Sequence, residues 1–110
     1  MLITNVQINA PPGQRDEILK TLRSLLGPTR VFPGCVSCRF YQDVENPNLL
    51  TLIEELEDRE ALDRYIRSND YRKILAAMDL ASEPPEVQFC SVSSVLGMEL
   101  IKEIREGERE

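Results

Sequence analysis

Four segments of the chain alternate apolar and polar residues with the two-residue repeat of half-buried β-strands. The first begins at Leu2, and the others cover residues 35–44, 49–57 and 87–95. The second and third are separated by four turn-forming residues, 45–48, which predicts an antiparallel hairpin.

Three other segments place their apolar residues along one side of a helix. The first carries five leucine or isoleucine residues between positions 18 and 26, and Gly27-Pro28 is expected to end it. The second begins at Asp58 and the third at Ser68, both residue types that cap helices. The resulting order, βαββαβ, predicts an α+β, ferredoxin-like fold with an antiparallel four-stranded sheet.

The end of the chain predicts one more short helix. Met98, Ile101 and Ile104 follow Gly97 at spacings near one helical turn, and the polar residues 106–110 come last. We therefore expect a domain over residues 1–95 and a helical tail over residues 96–110.

Both faces of the predicted hairpin carry bulky apolar side chains, and a single helix layer covers only one face. Pairing Val44 with Leu49 across the turn divides these side chains into two sets, with Tyr41, Leu50, Leu52 and Leu56 on one face and Phe40, Val44, Leu49 and Ile53 on the other. A second copy of the same sheet, placed around a twofold axis, would cover the remaining face, so we predict a homodimer. The alternative is a monomer whose terminal helix folds back over that face.

Composition narrows the classes of function. The 110 residues suffice for one domain, and the net charge of −6, with basic residues dispersed among acids, argues against nucleic-acid binding. No apolar run is long enough to cross a bilayer, and the first residues lack the pattern of a secretion signal. We expect a cytoplasmic protein with neither nucleic acid nor membrane as a partner.

The chain contains no histidine, the residue most often used for acid-base chemistry near neutral pH. Cys35, Cys38 and Cys90 are an odd number of cysteines, which are expected to be free thiols. Cys35 and Cys38 have redox-motif spacing, but residues three apart in a strand point to opposite faces. We therefore expect neither a catalytic nor a zinc-binding role for them.

The order and spacing of several motifs resemble the antibiotic biosynthesis monooxygenase domain over residues 1 to about 95. They are Pro11-Pro12-Gly13-Gln14-Arg15-Asp16-Glu17, Pro33-Gly34-Cys35, Tyr41-Gln42-Asp43, Glu54-Glu55-Leu56 and Glu60-Ala61-Leu62-Asp63. The resemblance implies a dimeric α+β barrel that oxidises quinols, polyphenols or other electron-rich aromatics with dioxygen and without a metal or flavin. Relatives of that family degrade haem or isomerise small phosphorylated sugars.

The chain departs from the family pattern at three positions. Leu56 stands where the family commonly has tryptophan, and Tyr65 and Asp70 stand where it commonly has histidine. Without histidine to bind iron, the haem-degrading activity is disfavoured. The resemblance also implies an active-site asparagine in the first strand, for which Asn5 is the candidate.

Glu54 is the carboxylate of greatest interest. The predicted hairpin register places Arg39 opposite Glu54, and an ion pair between them is the favoured interpretation. The alternative is a raised pKa among apolar neighbours and a role as base for a phenolic proton. Tyr65 and Tyr71, on apolar helix stripes, are either core residues or contacts of a substrate.

The leading hypothesis is a cofactor-independent monooxygenase without a metal. Asn5 and Tyr65 would orient an aromatic substrate while Glu54 or a substrate-bound water takes the proton, and the substrate-binding residues would include Tyr41, Leu56 and Tyr71. The alternatives are a non-catalytic dimeric binder of small aromatic or apolar molecules and an isomerase on the same scaffold. A closed apolar cavity in which Asn5 and Tyr65 converge would support the enzyme.

Overall fold

The computed structural model describes residues 1–107 and confirms the α+β, ferredoxin-like order of elements. The strands are β1 Leu2–Asn9, β2 Cys35–Gln42, β3 Leu49–Leu56 and β4 Glu86–Ser91. The helices are α1 Arg15–Arg30, α2 Arg59–Ile66, α3 Asn69–Asp79 and α4 Met98–Gly107, and a 3-10 turn, Pro12–Gln14, precedes α1. None of these helices is long and apolar enough to pass through a bilayer.

The four strands form one antiparallel sheet in the order β2-β3-β1-β4. In β1, the residues Thr4, Val6 and Ile8 are buried, while the residues between them are partly exposed. Alternation along the strands therefore gives the sheet two distinct surfaces. We call the buried surface the helix face and the opposite surface, which includes Ile3 and Asn5, the outer face.

Helices α1, α2 and α3 cover the helix face with apolar side chains that repeat at helical spacing. The buried residues of α1 begin with Ile18 and Leu22, and those of α3 include Ile74. Together with Leu50 and Leu52 of β3 they form one continuous core. Each such side chain contributes about 1.5–3 kcal/mol by leaving water, and this burial holds the helix layer on the sheet.

Helix α1 is longer than predicted, because it continues through Gly27-Pro28 to Arg30. Proline removes one backbone hydrogen bond from a helix interior, which made it a reasonable end signal. The last turn is nevertheless held, since Leu25 and Thr29 are both buried in the core. Tertiary packing overrides the local preference here, as it commonly does.

The register of the hairpin differs from the prediction by one residue. Cys38 lies opposite Glu54 and Gln42 opposite Leu50, so the predicted pairing of Val44 with Leu49 is wrong. The cause is Asp43, whose Oδ2 accepts hydrogen bonds from the backbone N–H groups of residues 45 and 46 at 3.0 and 2.8 Å. This side chain begins the turn one residue early and leaves Val44 outside the ladder.

The shift exchanges the faces of the β2 side chains from Ser37 to Gln42 relative to the prediction. Phe40, opposite Leu52, lies on the helix face, and Tyr41, opposite Thr51, lies on the outer face. The predicted grouping of Tyr41 with Leu52 is therefore wrong.

A β-bulge at the start of β2 corrects a second expectation. The register changes between Cys35 and Ser37, so that Cys35 lies opposite Leu56 and Cys38 opposite Glu54. The extra residue of the bulge turns both cysteines to the helix face. The expectation that they point to opposite faces is wrong, because simple alternation does not hold across a bulge.

The terminal helix is present as α4, and all of its described residues are exposed. Strand β4 ends at Ser91, earlier than the predicted end at residue 95. Residues 108–110, the end of the predicted tail, lie outside the described residues.

Candidate functional site

Glu54 is a fully buried carboxyl on the helix face, with 0% of its surface exposed. Its neighbours across the ladder are Thr4 of β1 and Cys38 of β2. The Thr4 hydroxyl donates a hydrogen bond to Glu54 Oε1 at 3.1 Å, whereas Oε2 has no hydrogen-bond partner among residues 1–107. The predicted ion pair with Arg39 is wrong, since Arg39 lies opposite Ile53.

Burial raises the pKa of the Glu54 carboxyl, because a charged carboxylate loses its hydration in the core. The hydroxyls of Tyr65 and Thr4 oppose this rise, since their dipoles favour the charged form. Oε2 has no partner with hydrogen-bond geometry among residues 1–107, so the Tyr65 hydroxyl acts on Glu54 by proximity and not through a hydrogen bond. The Glu54 carboxyl therefore stays protonated at pH values at which an exposed carboxyl is already ionised.

An aromatic cluster lies beside this carboxyl. The ring of Tyr65 packs against the rings of Phe32 and Tyr71, with centroids 5.4 and 5.2 Å away. The Tyr65 hydroxyl oxygen lies 3.4 Å from Thr29 Oγ1 in the core. Burial, together with the negative charge of Glu54, raises the pKa of both tyrosines, so their hydroxyls stay neutral.

Two capped helix starts position these tyrosines. Asp58 accepts a hydrogen bond from the backbone N–H of Ala61 at 2.8 Å and begins α2. Ser68 accepts one from the backbone N–H of Tyr71 at 3.3 Å and begins α3. Because each cap fixes the phase of its helix, Tyr65 and Tyr71 both turn toward the sheet.

Cys35 and Cys38 complete the surroundings of Glu54 on the β2 side. Burial, followed by the negative charge of Glu54, raises the pKa of the Cys38 thiol to about 12, against a lowering by Arg30. The pKa of the Cys35 thiol is raised for the same reasons. Both thiols are therefore protonated near neutral pH and are weak nucleophiles. Within residues 1–107, no three acidic or cysteine side chains converge as metal ligands would.

Asn5 does not join this cluster. It lies opposite Ile53 on the outer face, and its Oδ1 is buried without a hydrogen-bond partner among the described residues. Gln7 and Gln88 line a small depression of about 50 Å³ beside it. Asn5 and Tyr65 do not converge in one closed cavity, so the geometric support that such a cavity would have given to the monooxygenase is lost.

The three residues expected to bind substrate are divided between the two faces. Leu56 and Tyr71 are buried on the same side of the sheet as Glu54. Tyr41 lies on the outer face beside Val44, where both border an open depression of about 300 Å³. The structure thus brings Leu56 and Tyr71 to the Glu54 cluster and leaves Tyr41 outside it.

Side chains fill the space in which a closed cavity was expected. Five depressions on the surface of residues 1–107 were compared with this cluster, and none of the five is lined by Glu54, Tyr65 or Tyr71. None of these five depressions therefore gives a ligand a route from the surface to Glu54.

Sequence reasoning missed Thr4, Thr29 and Cys38 as neighbours of this cluster. Thr4 was detectable, because it shares the alternating stripe of Leu2 and Val6. The position of Thr29 was not detectable, because it depends on the continuation of α1 past Pro28. The position of Cys38 was not detectable either, because it depends on the hairpin register and the bulge.

Known proteins share both the sequence pattern and the fold of this chain. Residues 1–77 match the sequence model of the antibiotic biosynthesis monooxygenase family, as the sequence motifs suggested. A crystal structure of an antibiotic biosynthesis monooxygenase is 25% identical, with a TM-score of 0.77 over 86% of this chain and 100% of its own. A conserved protein from Methanosarcina mazei Go1 is 28% identical, with a TM-score of 0.74 over 82% of this chain and 91% of its own.

Two further relatives are more limited in what they indicate. Rv0793 from Mycobacterium tuberculosis is 23% identical, with a TM-score of 0.80 over 87% of this chain and 98% of its own, and shows the fold alone. An uncharacterized protein of Synechocystis sp., sll1783, is 25% identical over 87 residues, which are 78% of this chain. The chain spans only 59% of the length of that relative.

Proposed function

The chain belongs to the antibiotic biosynthesis monooxygenase family, and we propose that it is a cofactor-independent monooxygenase of quinols, polyphenols or other electron-rich aromatics. The observation that supports this most strongly is Glu54, a buried carboxyl that has neither a cationic partner nor a hydrogen bond to Oε2 among residues 1–107. Buried groups with an unsatisfied atom and a raised pKa concentrate at functional sites.

Glu54 is the proton acceptor in this proposal. A carboxylate with a raised pKa is a stronger base, so in its ionised form Glu54 takes the proton of a phenolic hydroxyl directly or through a substrate-bound water. The Thr4 hydroxyl holds Oε1, which leaves Oε2 to face the substrate.

The substrate itself supplies the electrons. A deprotonated hydroquinone passes one electron to dioxygen, and recombination of the two radicals forms a bond from the ring to oxygen. One oxygen atom stays on the ring as the hydroxyl of a hydroxyquinone, and the other leaves as water. A quinol and dioxygen thus become a hydroxyquinone and water, and the balance requires no added reductant.

Tyr65 and Tyr71 have two roles in this scheme. Their neutral hydroxyls can donate to an oxygen atom of the substrate, and their rings form apolar walls together with Leu56. The pocket would form only around a bound substrate, and a dry site of this kind strengthens the electrostatic effect of each polar group inside it.

Binding in this scheme requires a more open form of the protein. Tyr65 and Tyr71 occupy the space over Glu54, so the substrate must displace them while α2 and α3 move from the sheet. When the open form is a minor state, the apparent dissociation constant for substrate equals the intrinsic one divided by the population of the open form.

We also propose that two copies pair through the outer face. Ile53 and Tyr41 leave apolar surface uncovered there, and the unpartnered Oδ1 of Asn5 lies on the same face. A second copy would cover that surface and could supply a donor to Asn5. Asn5 is then an interface residue and not a catalytic one.

A second function has its own supporting observation. Because the depressions described above do not reach Glu54, the cluster resembles a filled core as much as an active site. The competing proposal is a non-catalytic binder of small aromatic or apolar molecules, in which Leu56 and Tyr65 mark the loss of the tryptophan and histidine common in the family.

Oxygen consumption separates the two proposals. Chelator-treated protein is mixed with a panel of hydroquinones and naphthols in an oxygen electrode, and binding of each compound is measured by calorimetry. Oxygen uptake, slowed by Tyr65→Phe, supports the monooxygenase. Saturable binding without oxygen uptake supports the binder, and the absence of both results contradicts both proposals.

A further inference from the structure

Helix α4 carries an apolar stripe that lies open to solvent. Met98, Leu100, Ile101 and Ile104 are exposed by 38% to 64%. At about 100° per residue, these four side chains fall within roughly 160° of the helix circumference. Stripes of this width are normally buried, so this one indicates a missing contact surface.

The shape of the molecule places α4 away from the domain. The radius of gyration is 16.7 Å, whereas a compact chain of this length has one of about 13 Å. The longest dimension is 55 Å and the shortest is 22 Å. Helix α4 is therefore an arm and does not form a layer over its own sheet, as the monomer alternative required.

The outer face offers a surface of matching character. The 300 Å³ depression near the β2–β3 turn is bordered by Tyr41, Val44, Leu49 and Ile53. Val44 is 100% exposed and Tyr41 is 47% exposed, so the described part of the chain leaves this apolar patch open. Asp43 lies at its edge and adds a negative charge.

Charge on the arm complements this patch. Arg105 lies seven residues after Met98, which places it within about 20° of that side chain, inside the apolar stripe and near its Met98 edge. A cation near the edge of an apolar stripe matches the carboxylate of Asp43 beside an apolar depression.

The arm and the depression lie at diagonally opposite corners of one sheet. Strands β4 and β2 are the two edges of the sheet. Ser91, from which the arm continues, lies opposite Leu2, whereas Leu49 lies opposite Asn9 at the other end of β1. When two copies pack their outer faces with crossed strands around a twofold axis that lies along the other diagonal of the sheet, the arm corner of one copy meets the depression corner of the other.

We propose that α4 is an exchanged arm, whose apolar stripe packs over the outer-face depression of a second copy of this chain. The twofold axis makes the contact reciprocal, so that each copy gives one arm and receives one. This contact goes beyond the proposed reaction and does not depend on catalysis.

Isotope-coded photo-crosslinking tests the exchange directly. A benzophenone amino acid replaces Ile101, and ¹⁵N-labelled and unlabelled chains are mixed, exchanged by unfolding and refolding, irradiated and digested. We expect peptides from α4 joined to peptides from residues 41–53 with mixed isotope labels. Crosslinks with matched labels only, or crosslinks to another surface, would overturn the exchanged arm even if the chain is a dimer.

A charge-matched pair of variants tests the energy of the contact. Ile101→Glu/Ile104→Glu and Lys102→Glu each change the net charge by the same amount, but only the first places charge on the apolar stripe. In sedimentation equilibrium we expect the first to weaken association by at least about tenfold and the second to leave it unchanged. Circular dichroism confirms the fold of both. Equal association constants, or a wild-type monomer at high concentration, would overturn the proposal.

Discussion

Replacing Glu54 with glutamine isolates the effect of its buried charge. The substitution keeps the size of the side chain and an oxygen that accepts from Thr4, but it removes the titrating proton. In the folded protein burial raises the pKa of Glu54, while in the unfolded chain the carboxyl ionises near its ordinary pKa of 4.5. Between the two pKa values, the folded state therefore binds one proton more than the unfolded state.

The sign of the effect follows from this difference in bound protons. The contribution of Glu54 to the free energy of unfolding of the wild type falls as pH rises above about 4.5, by up to about 1.4 kcal/mol per pH unit, and becomes level above the folded pKa. Glutamine does not titrate, so Glu54→Gln lacks this loss. The stability of the variant relative to the wild type should rise with pH and then reach a plateau.

Urea unfolding of both proteins between pH 4 and pH 8 measures this difference. The informative quantity is the change with pH in the stability difference between the two proteins. The constant part of that difference is not informative, because burying the new amide N–H group without a partner costs about 1–3 kcal/mol at every pH. Glu57→Gln, the same change on an exposed side chain, serves as the control. A difference between the two proteins that does not change with pH would mean that burial does not shift the titration of Glu54. A wild type that gains stability relative to Glu54→Gln as pH rises would indicate a lowered pKa for Glu54.

Two structural predictions concern backbone geometry and helix caps. Gly34→Ala should lower the free energy of unfolding by at least about 1–3 kcal/mol, because Gly34 has a φ of +90° and its new Cβ would lie 2.5 Å from that of Ala61. Gly27 lies in α1, and a Cβ added there would meet no other atom within 4 Å. Gly27→Ala should therefore raise the free energy of unfolding by about 0.5–1 kcal/mol. Urea midpoints equal to that of the wild type would refute both expectations. Asp58→Ala should cost about 1 kcal/mol through loss of the α2 cap, and an unchanged melting temperature would show that the cap is dispensable.

The order of elements was predictable because each segment has one dominant period. The two-residue alternation of β1 and the helical stripe of α1 both match their structures. Details that depend on single side chains were not predictable in the same way. Asp43 moved the hairpin register by one residue, and the burial of Thr29 carried α1 past Pro28.

The candidate site was predicted in part for the same reason. Glu54, Leu56 and Tyr71 fall on elements whose inward face follows from periodicity, and they lie together. The faces of Tyr41 and Asn5 were misjudged, since a change of one residue in register or in the alignment of the first strand exchanges the two sides of a sheet. Glu54 has Cys38 and not Arg39 as its neighbour on β2 because of that register, and composition alone does not predict this.

The most direct test of the central claim is oxygen uptake by chelator-treated protein with a hydroquinone, compared between the wild type and Glu54→Gln. If Glu54 takes the substrate proton, the variant should be slower by about 10²- to 10⁴-fold, while Glu57→Gln keeps the wild-type rate. The wild-type rate should also rise with pH as Glu54 ionises. A Glu54→Gln variant that consumes oxygen as fast as the wild type would contradict the account.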